Sequence, residues 1–314
     1  MREDYTYERS VTAKDFADIF GTTEEDINAK CGEMLQRDNF QYDTVEGKER
    51  DQIIVSVLKE LEGKPFSVSG QERQIQWEKG WRENLDVFLR SGDIRDLTPK
   101  YINKHPIKRL KQNYIRPKSE NYELNYFNLF KTWLFKTYFH NASSIYEFGF
   151  GPGHNLATLA DMYPQARLTG FDWAKSSIEI LDAISPMYGD RIAGKLFNMF
   201  SPDFEVEVDK QSAFLTIGSL EQLGDSFEKI LDFFIRKKPS ICVNVEPIIE
   251  LYDPEHLLDW LAIKYHQKRG YLNNYLTRLR ELESQGVIEI CETRRIHFSN
   301  QYHEGSLIVW RPIG

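Results

Sequence analysis

Tyr146-Glu147-Phe148-Gly149-Phe150-Gly151-Pro152-Gly153-His154-Asn155 is the stretch on which the reading of the whole chain turns. The apolar run Ser144–Phe148 reads as a strand, and the segment from Asn155 onward has helical spacing. Between them stand Gly149, Gly151 and Gly153, which can take φ > 0 and let backbone approach a ligand closely. The following helix points free N–H groups at whatever occupies the turn. The dinucleotide fingerprint GxGxxG places a pyrophosphate on such a helix. Here its third glycine position holds His154, and an acid, Glu147, precedes the loop. A carboxylate there crowds a pyrophosphate and suits a ligand with an ammonium and a sulfonium.

Outward from the loop, apolar runs alternate with helical segments. Strands are expected at 144–148, 167–171, 192–199, 213–217 and 241–245, and helices at 155–162, 176–184 and 226–236. That alternation predicts an α/β fold, a parallel sheet covered by helices. The end reads as one long helical stretch, 254–285, then two strands, 287–297 and 306–310, forming a hairpin at the sheet edge. Leu168-Thr169-Gly170-Phe171-Asp172-Trp173 ends the second strand, and a carboxylate there can bind both ribose hydroxyls of a nucleoside.

The E-x-G-x-G-x-G pattern, followed by Asp172, resembles the first motifs of class I S-adenosylmethionine (SAM)-dependent methyltransferases. The resemblance covers roughly residue 122 to the carboxyl end, with its strongest motifs inside 146–223. It implies a Rossmann-like sheet of seven strands with SAM as cofactor. By this resemblance the loop backbone at Gly149, Gly151 and Gly153 holds the methionine part, with Glu147 near its amino group. Asp172 binds the ribose, Trp173 lies beside the adenine, and Asn198 reads the adenine amino group. Gly218, in Thr216-Ile217-Gly218-Ser219-Leu220-Glu221, passes under the methionine and faces the substrate. The family often carries an acid earlier in that strand, and Ser212-Ala213-Phe214 lacks it. By location Tyr114 and Arg116 belong to a segment that folds over the cofactor as a lid.

Residues 1–120 read as a polar, helical accessory region and 121–314 as the SAM-binding domain. Thr22-Thr23-Glu24-Glu25-Asp26 is a helix start, with a hydroxyl cap and acids in the first turn. Segments 51–61 and 76–89 have helical spacing, and Pro99, Pro106 and Pro117 punctuate a loop-rich boundary before a helix at 122–139. Trp77 and Trp81 lie one turn apart and suit either the core or an acceptor pocket.

Lys and Arg number 40 against 48 Asp and Glu, a net charge of −8, which disfavours a general nucleic-acid binder. The three cysteines, Cys31, Cys242 and Cys291, form no CxxC pair, and no histidine–carboxylate cluster has metal spacing. The start, MREDYTYERS, lacks an apolar leader run, and no segment approaches the roughly 20 apolar residues that span a bilayer. A cytoplasmic protein without a membrane partner is expected, and a homo-oligomer is compatible with the sequence.

Methyl transfer relies on alignment of donor and acceptor, so a dedicated catalytic residue is optional. Glu246, at the carboxyl end of the fifth strand, is the first candidate for substrate contact or base, with a capping or salt-bridged role as the alternative. His303 is the second, titrating near neutral pH or serving as a polar turn residue. His256 and His266 read as solvated helix residues, and Lys264–Tyr271 as an anion-binding or a solvated face. A small-molecule acceptor of natural-product or sugar type is expected. A protein methyltransferase, a non-catalytic SAM-fold subunit and, less well supported, an NAD-linked enzyme are the rivals.

Overall fold

The computed structural model describes residues 9–63, 66–209 and 211–313, so most of the charged start, MREDYTYERS, lies outside the described residues. The amino-terminal elements are β1 (Arg9–Ser10), α1 (Ala13–Phe20), α2 (Glu24–Arg37), β2 (Gln41–Thr44), α3 (Gly47–Glu62), α4 (Gln74–Ser91), β3 (Lys108–Leu110) and β4 (Asn113–Pro117). Then come α5 (Tyr122–Tyr138), β5 (Ser144–Phe148), α6 (His154–Met162), β6 (Arg167–Asp172), α7 (Lys175–Ile184) and β7 (Ile192–Leu196). The chain closes with β8 (Ser212–Ile217), α8 (Glu228–Lys237), β9 (Ile241–Glu246), α9 (Leu257–Arg269), α10 (Tyr275–Ser284), β10 (Ile288–Arg295), β11 (Phe298–Asn300) and β12 (Ser306–Pro312).

Strands with apolar residues on both faces are buried in the middle of a sheet. All five residues of β5 are buried, as are the first five of β8 and the last five of β9. They sit inside a seven-stranded sheet of order β10-β12-β9-β8-β5-β6-β7. The pairs among β5 to β9 are parallel, and β12 and β10 run antiparallel to their neighbours. The expected edge hairpin is thus present. Successive residues alternate between two cores. Ile145, Leu215 and Val243 face α5, α6 and α7, whereas Tyr146, Phe148 and Phe214 face α8 and α10. The second core is aromatic: Phe148 has the rings of Phe171, Phe214 and Phe234 within 5.0 Å.

Topology fixes the crevice. From β5 the chain winds outward through β6 and β7, then returns to place β8 on the other side of β5. This reversal between β5 and β8 is a switch point, where open α/β sheets bind ligands outside the strands' carboxyl ends.

The amino-terminal region departs from the helical expectation. β1, β2, β4 and β3 form a second, antiparallel sheet, completed by β11 from the far end of the chain. The register Phe298↔Leu110 and Ser299↔Arg109 ties residues on either side of the expected boundary at 120. These strands are short, and β3, Lys-Arg-Leu, hides its burial behind charge: Lys108 pairs with Glu123 and Arg109 with Asp259. The stretch expected as one long helix is broken at Gly270, which takes φ 60°, into α9 and α10. The Thr23 hydroxyl caps α2 by accepting the Asp26 N–H at 3.2 Å, as expected.

Candidate functional site

A cavity of about 910 Å³ opens at the switch point. It is at the large end of the roughly 300–1,000 Å³ range of small-molecule sites. Its floor is the carboxyl ends of β5, β6, β8 and β9, and α4 and residues 100–105 face them.

Alternation along β5 turns Glu147 toward α5 and α6. Its Oε1 accepts a hydrogen bond from Asn155 Nδ2 at 2.7 Å, and Asn155 Oδ1 accepts from Lys131 Nζ at 3.1 Å. Its Oε2 is buried and has no hydrogen-bond partner among the described residues. Burial pushes the carboxyl up to about 8, against the pull of Asn155 and Lys131, and pushes the Lys131 ammonium down to about 8. An unsatisfied buried acceptor is costly, so this corner suits a donor that a ligand brings.

Gly149 and Gly151 border the cavity, and both take φ > 0. A Cβ at Gly151 would lie 2.9 Å from the Trp81 ring, so the loop packs closely under α4. Gly153 does not line the cavity. It is the N-cap of α6, and its missing side chain makes room for Leu181, 2.6 Å from an ideal Cβ.

Asp172, at the end of β6, spans the loop. Its Oδ2 accepts the Gly151 N–H and its Oδ1 the Ala174 N–H, both at 2.9 Å. Burial pushes its carboxyl up to about 6, against these donors. Trp173 lines the cavity beside it and stacks on Phe200 at 5.7 Å. Gly218 also borders the cavity, with φ 63° and open space where a Cβ would stand.

Asn198 and Tyr114 are elsewhere. Asn198 is exposed and turns its Oδ1 back to the Phe200 N–H at 2.9 Å, closing a local turn. Tyr114 lies in β4, 1% exposed, packed with Val45, Ile54, Val57, Ile107, Leu258 and Leu261. Arg116 pairs with Glu49 on the surface. The lid position expected for Tyr114 and Arg116 is replaced by strand pairing with β2.

Glu246 lines the cavity, yet its oxygens are occupied. Oε1 accepts the N–H groups of Ser219 and Leu220, each at 3.1 Å, and Oε2 that of Glu221 at 3.2 Å. Burial pushes it up to about 7 against these bonds. It caps the turn Leu220–Leu223, the alternative its sequence position allowed. The turn in turn presents Glu221 to the cavity, and burial together with Glu246 pushes the Glu221 carboxyl up to about 8.

His303 lines the cavity, but burial holds its imidazole down to about 4, well below neutrality. Of the two readings its sequence position allowed, burial opposes titration near neutral pH. His266 is fully buried rather than solvated, and neither ring nitrogen has a partner among the described residues. Trp77 and Trp81, stacked at 5.3 Å, both face the cavity. Sequence reasoning missed Arg73, Tyr101, Lys131 and Asn155 as cavity residues, whereas Glu221 lies in the segment expected to face the substrate. For Lys131 a signal existed: a lysine inside an aromatic, apolar stretch of α5, between Phe130 and Trp133.

No family model matches the chain, and no curated protein matches it by sequence. Solved structures do match by shape. The cyclase SpnF aligns with a TM-score of 0.52 at 12% identity, over 80% of this chain and 100% of its own. The mitomycin 7-O-methyltransferase MmcR aligns over 98% and 89% of the two chains, with a TM-score of 0.43 at 13% identity. An O-methyltransferase family 2 protein from Planctomyces limnophilus aligns over 54% and 50%, with a TM-score of 0.40 at 13% identity. The chain shares with SpnF a Rossmann-like α/β fold built on a mixed seven-stranded sheet.

Proposed function

We propose that the protein transfers a methyl group from SAM to a small-molecule acceptor, with residues up to about 120 forming the accessory side of the cavity. One observation carries the reading: buried, unpartnered Glu147 Oε2 beside the glycine loop. An amino group there supplies the missing donor, whereas a pyrophosphate would meet a carboxylate. Asp172 keeps free lone pairs on both oxygens after its two backbone bonds, as ribose hydroxyls require. Open space over Gly218 leaves backbone bordering the cavity. The residues present fit SAM, with Glu147, Gly149, Gly151, Asp172, Trp173 and Gly218 holding it.

When bound, SAM supplies a sulfonium-borne methyl group that an acceptor nucleophile displaces. Trp77, Trp81 and Tyr101 line the cavity from the accessory side. Glu221 takes the acceptor's proton, and Glu246 is a positioning residue that fixes the turn carrying it. A base with a pKa near the working pH is favoured for this task.

Isothermal titration with SAM, S-adenosylhomocysteine and NAD tests the cofactor. Binding of both adenosyl compounds without NAD supports the reading, and binding of NAD alone overturns it. Once a turned-over acceptor is found, Glu221→Gln is expected to lower kcat by about a hundred- to ten-thousand-fold. The base form exists above its pKa, so the wild-type rate should climb with pH through about 8. A Gln variant that keeps both the rate and that rising limb would remove Glu221 from the role.

A further inference from the structure

Two guanidinium groups border the cavity far from Glu147 in sequence. Arg73 closes the turn Gln71–Arg73 ahead of α4, and Arg269 ends α9. The chain is pinned so that they meet: the Ser69 N–H donates to Arg269 O at 2.7 Å, and the Ser69 hydroxyl donates to Gly270 O.

Neither arginine has a carboxylate within ion-pair distance among the described residues. Arg73, 9% exposed, donates only to neutral amides, Gln76 Oε1 at 3.1 Å and Gln222 Oε1 at 3.2 Å. Arg269 Nη2 donates to the Tyr271 hydroxyl at 3.0 Å, and its Nε is buried with no acceptor. Elsewhere the fold neutralises buried arginines: Arg109 and Arg295 both reach Asp259 at 2.6 Å. Arg73 is a buried cation and Arg269 a half-buried one; leaving a buried cation without a counter-charge is costly, and an incoming anion relieves that cost.

We infer that the end of the cavity between Arg73 and Arg269 is an acceptor subsite for a ring-bearing oxyanion, a carboxylate or phosphate on a planar small molecule. The inference rests on the proposed methyl transfer, because the acceptor is what carries the anion. Each guanidinium has one face over a ring, Arg73 over Trp77 and Arg269 over Tyr271, both at 5.0 Å. That stacking leaves the in-plane N–H groups not donated to Gln76, Gln222 and Tyr271 to reach two oxygens, the geometry that carboxylate and phosphate match. Tyr265, stacked on Tyr302 at 4.7 Å, lines the same cavity and offers an aromatic wall for the ring. Burial and the neighbouring Arg269 both hold Arg73 below its usual value, as expected of two cations sharing a site. Glu221 also faces the pair, and both arginines pull its carboxyl down against burial.

The test is isothermal titration of the full-length protein with benzoate, phenyl phosphate and the uncharged isostere benzamide, with and without S-adenosylhomocysteine. At least one anion is expected to bind about ten-fold or more tightly than benzamide, the discrimination one charge-assisted hydrogen bond supplies. The ranking of benzoate against phenyl phosphate tells which oxyanion the site takes. The double variant Arg73→Gln, Arg269→Gln should lose the preference, and Arg73→Lys, Arg269→Lys should keep part of it, in protein with a wild-type melting curve. If the double variant melts early, the two single Gln variants carry the same comparison. Anions that bind no better than benzamide, or a preference that survives the Gln changes, overturn the subsite. An intact anion preference in protein that binds no S-adenosylhomocysteine refutes the methyltransferase reading and leaves the anion site standing.

Discussion

Asp259→Ala is expected to lower folding stability by about 3–5 kcal/mol, the range seen when one member of a buried ion pair is removed. Asp259 has no exposed surface. Its oxygens accept from Arg109 at 2.6 Å, from Arg295 at 2.6 and 2.9 Å, from Gln112 at 2.8 Å and from the Asp253 N–H at 3.1 Å. Those donors come from β3, the β3–β4 turn, β10 and the loop before α9, so one carboxylate ties the second sheet to the main one. Alanine leaves two buried guanidiniums sharing Glu304. Equilibrium denaturation reads the effect, and a loss below about 1 kcal/mol, the level of exposed pairs, would show that the sheets are joined by other means. Acid should mimic the mutation. Burial alone would raise Asp259, but Arg295, Gln112 and the Asp253 N–H outweigh it and hold the group well below the carboxylate range. Glu304 is likewise held down to about 2 by His297, Arg109 and Arg295 against its burial. Lowered folded-state values mean stabilisation that is complete above the unfolded pKa, about 4, and is lost as pH falls through the folded one. The raised acids behave oppositely: Asp172, Glu246, Glu147 and Glu221 give stability that is present in acid and lost as pH rises through about 6 to 8. Asp259→Asn should therefore flatten the acid limb of a stability profile and leave the alkaline limb in place.

The same network explains which parts of the molecule the sequence conceals. The main sheet was legible because its strands are continuous apolar runs, and the glycine loop because backbone with φ > 0 constrains residue type. The second sheet was not, because Lys108 and Arg109 are buried through partners distant in sequence, and β11 has three residues. Local pattern carries no record of such pairing. Tyr114 was misplaced for that reason: its segment becomes a strand only when β2 and β3 flank it. At the site, sequence position located the acid at the end of β9 but not the three N–H groups that occupy Glu246, nor the exposure that this turn gives Glu221. Asn198 was assigned from its place after β7, whereas its side chain satisfies its own turn, a habit of asparagine. Arg73 and Arg269 come to one cavity from distant segments, with Ser69 held on the end of α9.

Asp172→Ala should weaken S-adenosylhomocysteine binding by about ten- to hundred-fold, the effect of losing one charge-assisted hydrogen bond of about 1.5–3 kcal/mol. Two losses combine. A ribose hydroxyl forfeits its charged acceptor, and the Gly151 and Ala174 N–H groups forfeit theirs, which frees the glycine loop from the end of β6. Asp172→Asn separates them: its remaining carbonyl oxygen can still accept one N–H, so the loop stays partly braced while the charge is gone. An Asn variant close to wild type would assign the effect to the loop, and one close to Ala would assign it to the ribose. Asn198→Ala is the internal control, because Asn198 is exposed and outside the cavity. It should leave affinity within about two-fold, as surface changes do. The profile against pH adds an independent check. Binding to hydroxyl donors favours ionised Asp172, whose folded-state value is about 6, so wild-type affinity should fall below that pH. Unchanged affinity in folded Asp172→Ala protein, or a loss as large in Asn198→Ala, would move the ribose away from β6 and take the proposed cofactor site with it.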